Sequence, residues 1–391
     1  MSNNAEAFER WIRTAFVQMN TELEELYFAQ EDRSRVMDIG EAIKYALRDE
    51  GHTHVTALRA EGNTGEGFDS AFGVLGNVGM YLGALRRHEL TNPAREERSP
   101  FPEASSLAVH CGASLGMAPR FATAHLTIHN RARAGLRKSF TSLADEFLFI
   151  DENTRGILSL QRAADALTSI VHIGITSPVA DVMFEAARSA LTEAIRANGR
   201  LMANLNVERF FYCVRPYYKP YRVGRQEYRG ANAGDFSGIN ELDLLLGLCR
   251  ANDPYYGQLL VDKMLFMLPG DQSRLKDCMA RRSLLDELLE LLGNRDSDWW
   301  QCNARAFLEV CDLFGRLAAQ HHDELVKRFI EKPAAALGEE QSQGLTASGP
   351  PLPVLLRSLE VLRDLRLAAD RSDIATRHLD IARLRAAVAV T

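Results

Sequence analysis

Apolar residues recur at three- and four-residue spacing along most of this chain, as in Phe8, Trp11, Ile12 and Phe16 or Leu285, Leu288, Leu291 and Leu292. That spacing lines one face of a helix, and no alternating run of useful length competes with it. The pattern predicts a nearly all-α fold. With 391 residues, 46% apolar and 25% charged, the chain can bury a sizeable core and belongs among soluble globular proteins.

Two polar interruptions break the helical pattern: His88 to Ser106, HELTNPAREERSPFPEASS, and Glu331 to Pro353, EKPAAALGEEQSQGLTASGPPLP. The first predicts a boundary between a smaller N-terminal helical domain, 1–100, and a larger helical domain, 101–391. The second, near 331–353, is long for a loop inside a compact domain, and loops of that length often act as lids. After Pro353 the run VLLRSLEVLRDLRLAA predicts a closing amphipathic helix. No repeat of fixed period is present, which argues against solenoids.

A net charge of -6 argues against a nucleic-acid partner, because that function needs a basic surface to neutralise phosphates. Six cysteines lie scattered with no CxxC pair, so no zinc ribbon or thioredoxin-like site is written and the thiols read as reduced. The start, MSNNAEAFERWIRTAF, has early acidic residues and no apolar h-region. No uncharged run approaches a membrane span. The expectation is a cytoplasmic protein with no membrane partner.

The stretch 210–247, FFYCVRPYYKPYRVGRQEYRGANAGDFSGINELDLLLG, stands apart. Seven aromatic residues fall between Phe210 and Tyr228, interleaved with Arg215, Lys219, Arg222, Arg225 and Arg229. Pro216, Pro220 and Gly224 should stop a helix here, placing rings and cations at a helix end and a loop, where sites are commonly built. Arg215, just before the turn at Pro216, could clamp a carboxylate with two parallel hydrogen bonds or simply stack on tyrosine. Asp235 and Glu241 could receive an amine, while Glu241 and Asp243 could equally flank a helix beginning near Ser237.

His321 and His322 sit in the helical run AFLEVCDLFGRLAAQHHDELVKRFI. At about 100° per residue both lie within about 60° of a stripe formed by Cys311, Phe314, Ala318, Leu325 and Phe329. Imidazole among apolar neighbours is how a haem iron is commonly held, although a hydrogen-bonded core histidine is the commoner explanation for one residue alone. Periodicity does not choose between the two. His125 and His129, in HLTIHN, would share a helix face but lack a third metal ligand, which favours a structural or pocket-lining role. The GANAG segment follows no strand and does not fit a dinucleotide fingerprint.

Taken in order, NVGMYLGALRRH ending at His88, HLTIHN at 125–130, KSFTSLADE at 138–146, the 210–230 stretch and the run around His322 resemble the indoleamine/tryptophan dioxygenase-like haem proteins, and especially their monodechloroaminopyrrolnitrin synthase-like branch. Tyr228–Gly234 and Asp243–Gly247 match the family's aromatic-x-Gly-Gly-Ser-Ala-Gly and Asp-x-Leu-Leu-Gly segments. The resemblance implies a helical fold with a haem b, its iron held by His322, and an enzyme that oxygenates a free amino acid with dioxygen in specialised metabolism. It implies Arg215 on the substrate carboxylate, Phe210 and Phe211 as walls, Asn232, Ala233 and Gly234 as the small-residue loop, and Ser348 in the closing loop. Asp235 also lies at that loop. This chain departs from the branch at Ile330, where a pocket tyrosine is usual, and at His129, where a tryptophan is usual. With Asn232 and Asp235, these departures leave two substrates open: a tryptophan-type indole, or an aliphatic amino acid such as lysine oxidised at its amine, for which Asp235 would supply a counter-charge. A non-catalytic haem-binding protein, an external reductant and a homodimer also stay open.

Overall fold

A computed structural model describes residues 2–62, 67–337 and 352–388. Among them helix predominates, with connecting loops and one short hairpin, as the apolar spacing predicts. The α-helices of seven residues or more are α1 (Asn3–Arg13), α2 (Ala15–Phe28), α3 (Glu41–Glu61), α4 (Gly67–Arg87), α5 (Pro102–Leu115), α6 (Ala144–Ile173), α7 (Ala180–Asn204), α8 (Ser237–Leu245), α9 (Pro254–Met264), α10 (Pro269–Ala280), α11 (Leu284–Glu290), α12 (Asp298–Ala319), α13 (Leu352–Arg366) and α14 (His378–Ala387). Local chemistry sets several starts. The Ser2 hydroxyl accepts from the Ala5 N–H, the Asp253 carboxylate from Tyr256 N–H and the Ser283 hydroxyl from Asp286 N–H, each satisfying a donor the first helical turn leaves free.

The chain forms two compact units, each from three segments: Met1–Asp151, Asn204–Asp235 and Arg328–Leu352 in the first, Glu152–Ala203, Phe236–Lys327 and Pro353–Thr391 in the second. The boundary expected at residue 100 falls inside the first unit. The polar stretch 88–106 is a loop only as far as Phe101, since Pro102 occupies the opening turn of α5, where a missing N–H costs no hydrogen bond. Ser99 N–H ties that loop to the Gly224 carbonyl at 2.8 Å. The other polar stretch continues helically through Lys332–Ala335, and its 338–351 portion lies outside the described residues.

In the first unit α4 is buried nearly all round. It can be so because Gly79 lets the backbone of Phe121 approach; a Cβ there would lie 2.2 Å from the Phe121 nitrogen. Tyr81 and Leu82 of this helix are buried in the core of the unit with Phe8, Trp11, Ile12 and Phe16. In the second unit Trp300, Leu285, Leu288, Phe184 and Phe307 are fully buried, with the last two rings edge-on at 6.3 Å. All six cysteines are free thiols; only Cys302 is exposed. No helix among the described residues is long and apolar enough to cross a membrane.

The aromatic-basic stretch contains the one β-sheet among the described residues, an antiparallel hairpin of β1 (Tyr221–Val223) and β2 (Gln226–Tyr228). Gly224 takes φ +60° at the first position of its two-residue turn, which a type II′ hairpin requires. Three-residue strands are too short for alternation to reveal them, so the sequence pattern passes over this hairpin.

Candidate functional site

In the first unit, Phe210–Val214 form a π-helix and Arg215–Tyr218 a 3₁₀ turn. The helix expected to stop at Pro216 is thus a wide turn that tightens into a narrow one, with Pro216 at the start of the narrow part. π-Helical backbone is rare and occurs frequently at functional sites. Arg215 stands at the junction, 5% exposed, its guanidinium carbon 5.7 Å from the Phe211 ring centre. Burial lowers its pKa to about 10, which leaves it charged at neutral pH. Phe210 meets Phe149 at 5.0 Å and Phe329, edge-on, at 5.9 Å. Phe211 packs with Ala334, flanked by Tyr212, Leu337 and Leu352. The half-buried Ile330 follows Phe329 in the chain.

The loop after β2 is a polar knot. Asn232 Oδ1 accepts from Gly234 N–H at 2.8 Å, and the Asn232 carbonyl accepts from the Thr123 hydroxyl at 2.7 Å. Asp235, its side chain fully buried, accepts from Arg120 at 2.8 Å, from Arg229 at 2.6 and 3.1 Å, and from Asn232 N–H at 3.1 Å. Asp235 therefore anchors the loop, with two guanidinium groups already on its carboxylate. Asn232, Ala233 and Gly234 are half-buried. Gly230 is required by packing, since a Cβ would fall 1.6 Å from the Tyr218 carbonyl oxygen. Arg120 gave no signal in the sequence, because a single arginine in a loop carries no periodicity.

The other cations of the stretch are distributed. Arg222 donates to the carbonyls of Arg225 and Pro93, and Arg225 is exposed. Lys219 is 3% exposed; burial lowers its pKa to about 7, helped by Arg86 and Arg87 and opposed by Glu89 and Glu24. Beside it Arg87 forms a fully buried two-point pair with Glu24 at 2.7 Å, and His88 bridges Tyr27 and Asn20.

His125 and His129 share no helix. His125 ends a 3₁₀ turn, stacks on Phe72 at 3.8 Å, accepts from Ala122 N–H through Nδ1 and donates from Nε2 to the Phe72 carbonyl. With both nitrogens engaged and burial lowering its pKa to about 3, it is a structural histidine. His129 is exposed, 5.2 Å edge-on from Phe72.

The helix α12 passes into a second π-helix, Gln320–Glu331, whose part in the second unit, as far as Lys327, carries both candidate histidines. Counting angles at an α-helical pitch therefore fails beyond Ala319, although Cys311, Phe314, Ala318, Leu325 and Phe329 are all buried as expected. His322 is 8% exposed. Its Nδ1 lies 2.9 Å from Asp323 Oδ1, the same oxygen that accepts from Lys327 and from Arg363 of α13, each at 3.0 Å. Burial would raise the Asp323 pKa, but His322, Lys327 and Arg363 together lower it to about 2. His321 is exposed and has no hydrogen-bond partner among the described residues. Yet burial, with repulsion from Arg366 and His322, lowers its pKa to about 4. Arg366 itself makes two 2.8 Å bonds to the buried Asp243, which also accepts from the Tyr256 hydroxyl at 2.6 Å. An aspartate inside the apolar run LDLLLG was the one sequence sign of that buried pair. Glu241 pairs with Arg274 at 2.8 and 2.9 Å.

A haem iron takes an imidazole nitrogen whose companion nitrogen is held by a carboxylate or carbonyl, which orients the ring. With Nδ1 on Asp323, His322 offers Nε2 in that way, so the chemistry of this donor fits a haem. His321 is neutral and accessible but unoriented. Ser348 lies outside the described residues. A family model described as monodechloroaminopyrrolnitrin synthase PrnB matches residues 2–388 of the chain.

Proposed function

Because the chain belongs to the monodechloroaminopyrrolnitrin synthase PrnB family over nearly its whole length, a family of biosynthetic oxygenases, we propose that it is a haem-dependent oxygenase of natural-product biosynthesis that acts on a free amino acid with dioxygen. The full-length family match carries this reading. The haem, when bound, supplies the activation of dioxygen. His322 holds its iron through Nε2, with Asp323 fixing the ring. Arg215, charged and nearly buried at a π-helix end, receives the substrate carboxylate, and Phe210 and Phe211 give the substrate apolar walls that exclude water. Asn232, Ala233 and Gly234 supply a low-profile loop, held in shape by Asp235.

The tryptophan-type substrate is the better supported of the two. A substrate ammonium seeking Asp235 would compete with Arg120 and Arg229, which already satisfy that carboxylate, so the counter-charge an aliphatic amine needs is not free there.

The test is reconstitution with haemin. The wild-type chain and His321→Ala should each take up haem and give a Soret band, and His322→Ala should not. Loss confined to His321→Ala would move the ligand to that residue, and no uptake by any form would end the haem reading. On the loaded protein, tryptophan should perturb the Soret band and lysine should not. The reverse result would favour amine oxidation, and a haem protein that neither responds to amino acids nor consumes dioxygen would be non-catalytic.

A further inference from the structure

The charge arrangement behind His322 supports a more specific assignment, one that rests on the reading of His322 as the haem ligand. A lone carboxylate bonded to a ligating imidazole draws on its N–H proton and makes the ring a stronger donor to the metal. Here the acceptor is not lone. Asp323 Oδ1 takes three donors, His322 Nδ1 at 2.9 Å, Lys327 Nζ at 3.0 Å and Arg363 Nη1 at 3.0 Å. Lys327 lies one helical turn away, and Arg363 reaches across from α13. Arg363 is itself fixed, since its Nε donates to Asp364 at 2.8 Å and Asp364 is tied in turn to Arg371. Two cations 3.0 Å from the oxygen that holds the imidazole weaken the hydrogen bond that oxygen accepts from His322.

We propose that Arg363 and Lys327 are positioning residues that neutralise Asp323, so that Asp323 orients His322 without giving it imidazolate character. His322 then donates to iron as a neutral imidazole. Second-sphere hydrogen bonding of this kind is one of the means by which a protein sets the potential of a haem. Neither cation touches substrate or haem in this assignment; Lys327 acts through Asp323, and Arg363 acts through Asp323 and from 3.2 Å on His322 Nδ1 itself.

The experiment uses full-length, haem-loaded protein and reads the ferrous iron–histidine stretching band by resonance Raman, together with the midpoint potential. Lys327→Gln and Arg363→Gln, alone and combined, should raise the stretching frequency and lower the potential, because the freed carboxylate pulls harder on the His322 proton. Asp323→Asn should move both in the opposite direction and weaken haem binding by about 10- to 100-fold. Lys327 and Asp323 are partly exposed, so Lys327→Gln and Asp323→Asn provide a readout even where Arg363→Gln disturbs folding. An iron–histidine band that stays put in the cation variants overturns the proposal while leaving His322 as ligand. A band that persists unchanged in His322→Ala overturns the ligand reading and this assignment with it.

Discussion

Glu9 illustrates how single ionisable residues hold the first unit together. Its carboxylate accepts from Arg13 at 2.7 and 2.9 Å, from Asn77 at 2.8 Å and from Lys138 at 2.8 Å, inside a site 4% exposed. Burial alone would raise its pKa, but Lys138 and Arg13 outweigh burial and bring it to about 2. The same burial lowers the Lys138 pKa, with Glu9 opposing it. A carboxyl depressed in the folded state contributes stability that is present above its unfolded pKa and is lost as pH falls through the folded value. The window is therefore from about 4.5 down to about 2, and at about 1.4 kcal/mol per pH unit the total is about 3 kcal/mol. Glu9→Gln should cost about 3–5 kcal/mol at neutral pH, since it strands two buried cations, and the gap to wild type should close towards pH 2. Urea unfolding across that range checks it; parallel curves for the two proteins would contradict the assignment.

At the level of elements, close backbone approach and open space make opposite demands on glycine. In α4, Gly79 admits the Phe121 backbone, next to the Arg120 that holds Asp235. Gly79→Ala puts a methyl 2.2 Å from a backbone nitrogen, where only a shift of the 120–125 segment relieves it, so a loss of about 1–3 kcal/mol or more is expected. A methyl group on Gly156 in α6 would meet nothing within 4 Å, and Gly156→Ala should gain about 0.4–1 kcal/mol by restricting the unfolded chain. Thermal unfolding should rank the three proteins Gly156→Ala, wild type, Gly79→Ala; any other order refutes the packing argument. The two π-helical segments belong to the same scale. Each widens a turn where the sequence pattern anticipates an ordinary α-helix, one beside Arg215 and the other at His321 and His322.

For the whole molecule, each compact unit draws on three separated segments, and the first needs 204–235 and 328–352 as well as the N-terminal helices. Neither 1–100 nor 101–391 expressed alone should unfold cooperatively, as followed by circular dichroism and limited proteolysis; a cooperatively melting 1–100 fragment would show that α1–α4 carry a core of their own. The helical class and the family were readable from the order of residues, because apolar period and motif order are local properties. Arg215 stood out for the same reason, as a cation beside rings at a predicted helix end. What the sequence could not supply were the partners. That Asp235 is taken up by Arg120, that Asp323 is shared with the distant Arg363, and that Asp243 faces Arg366 depend on segments 40 to 123 residues apart meeting in space. Charge pairing across such distances follows from how helices pack, and no spacing along the chain encodes it.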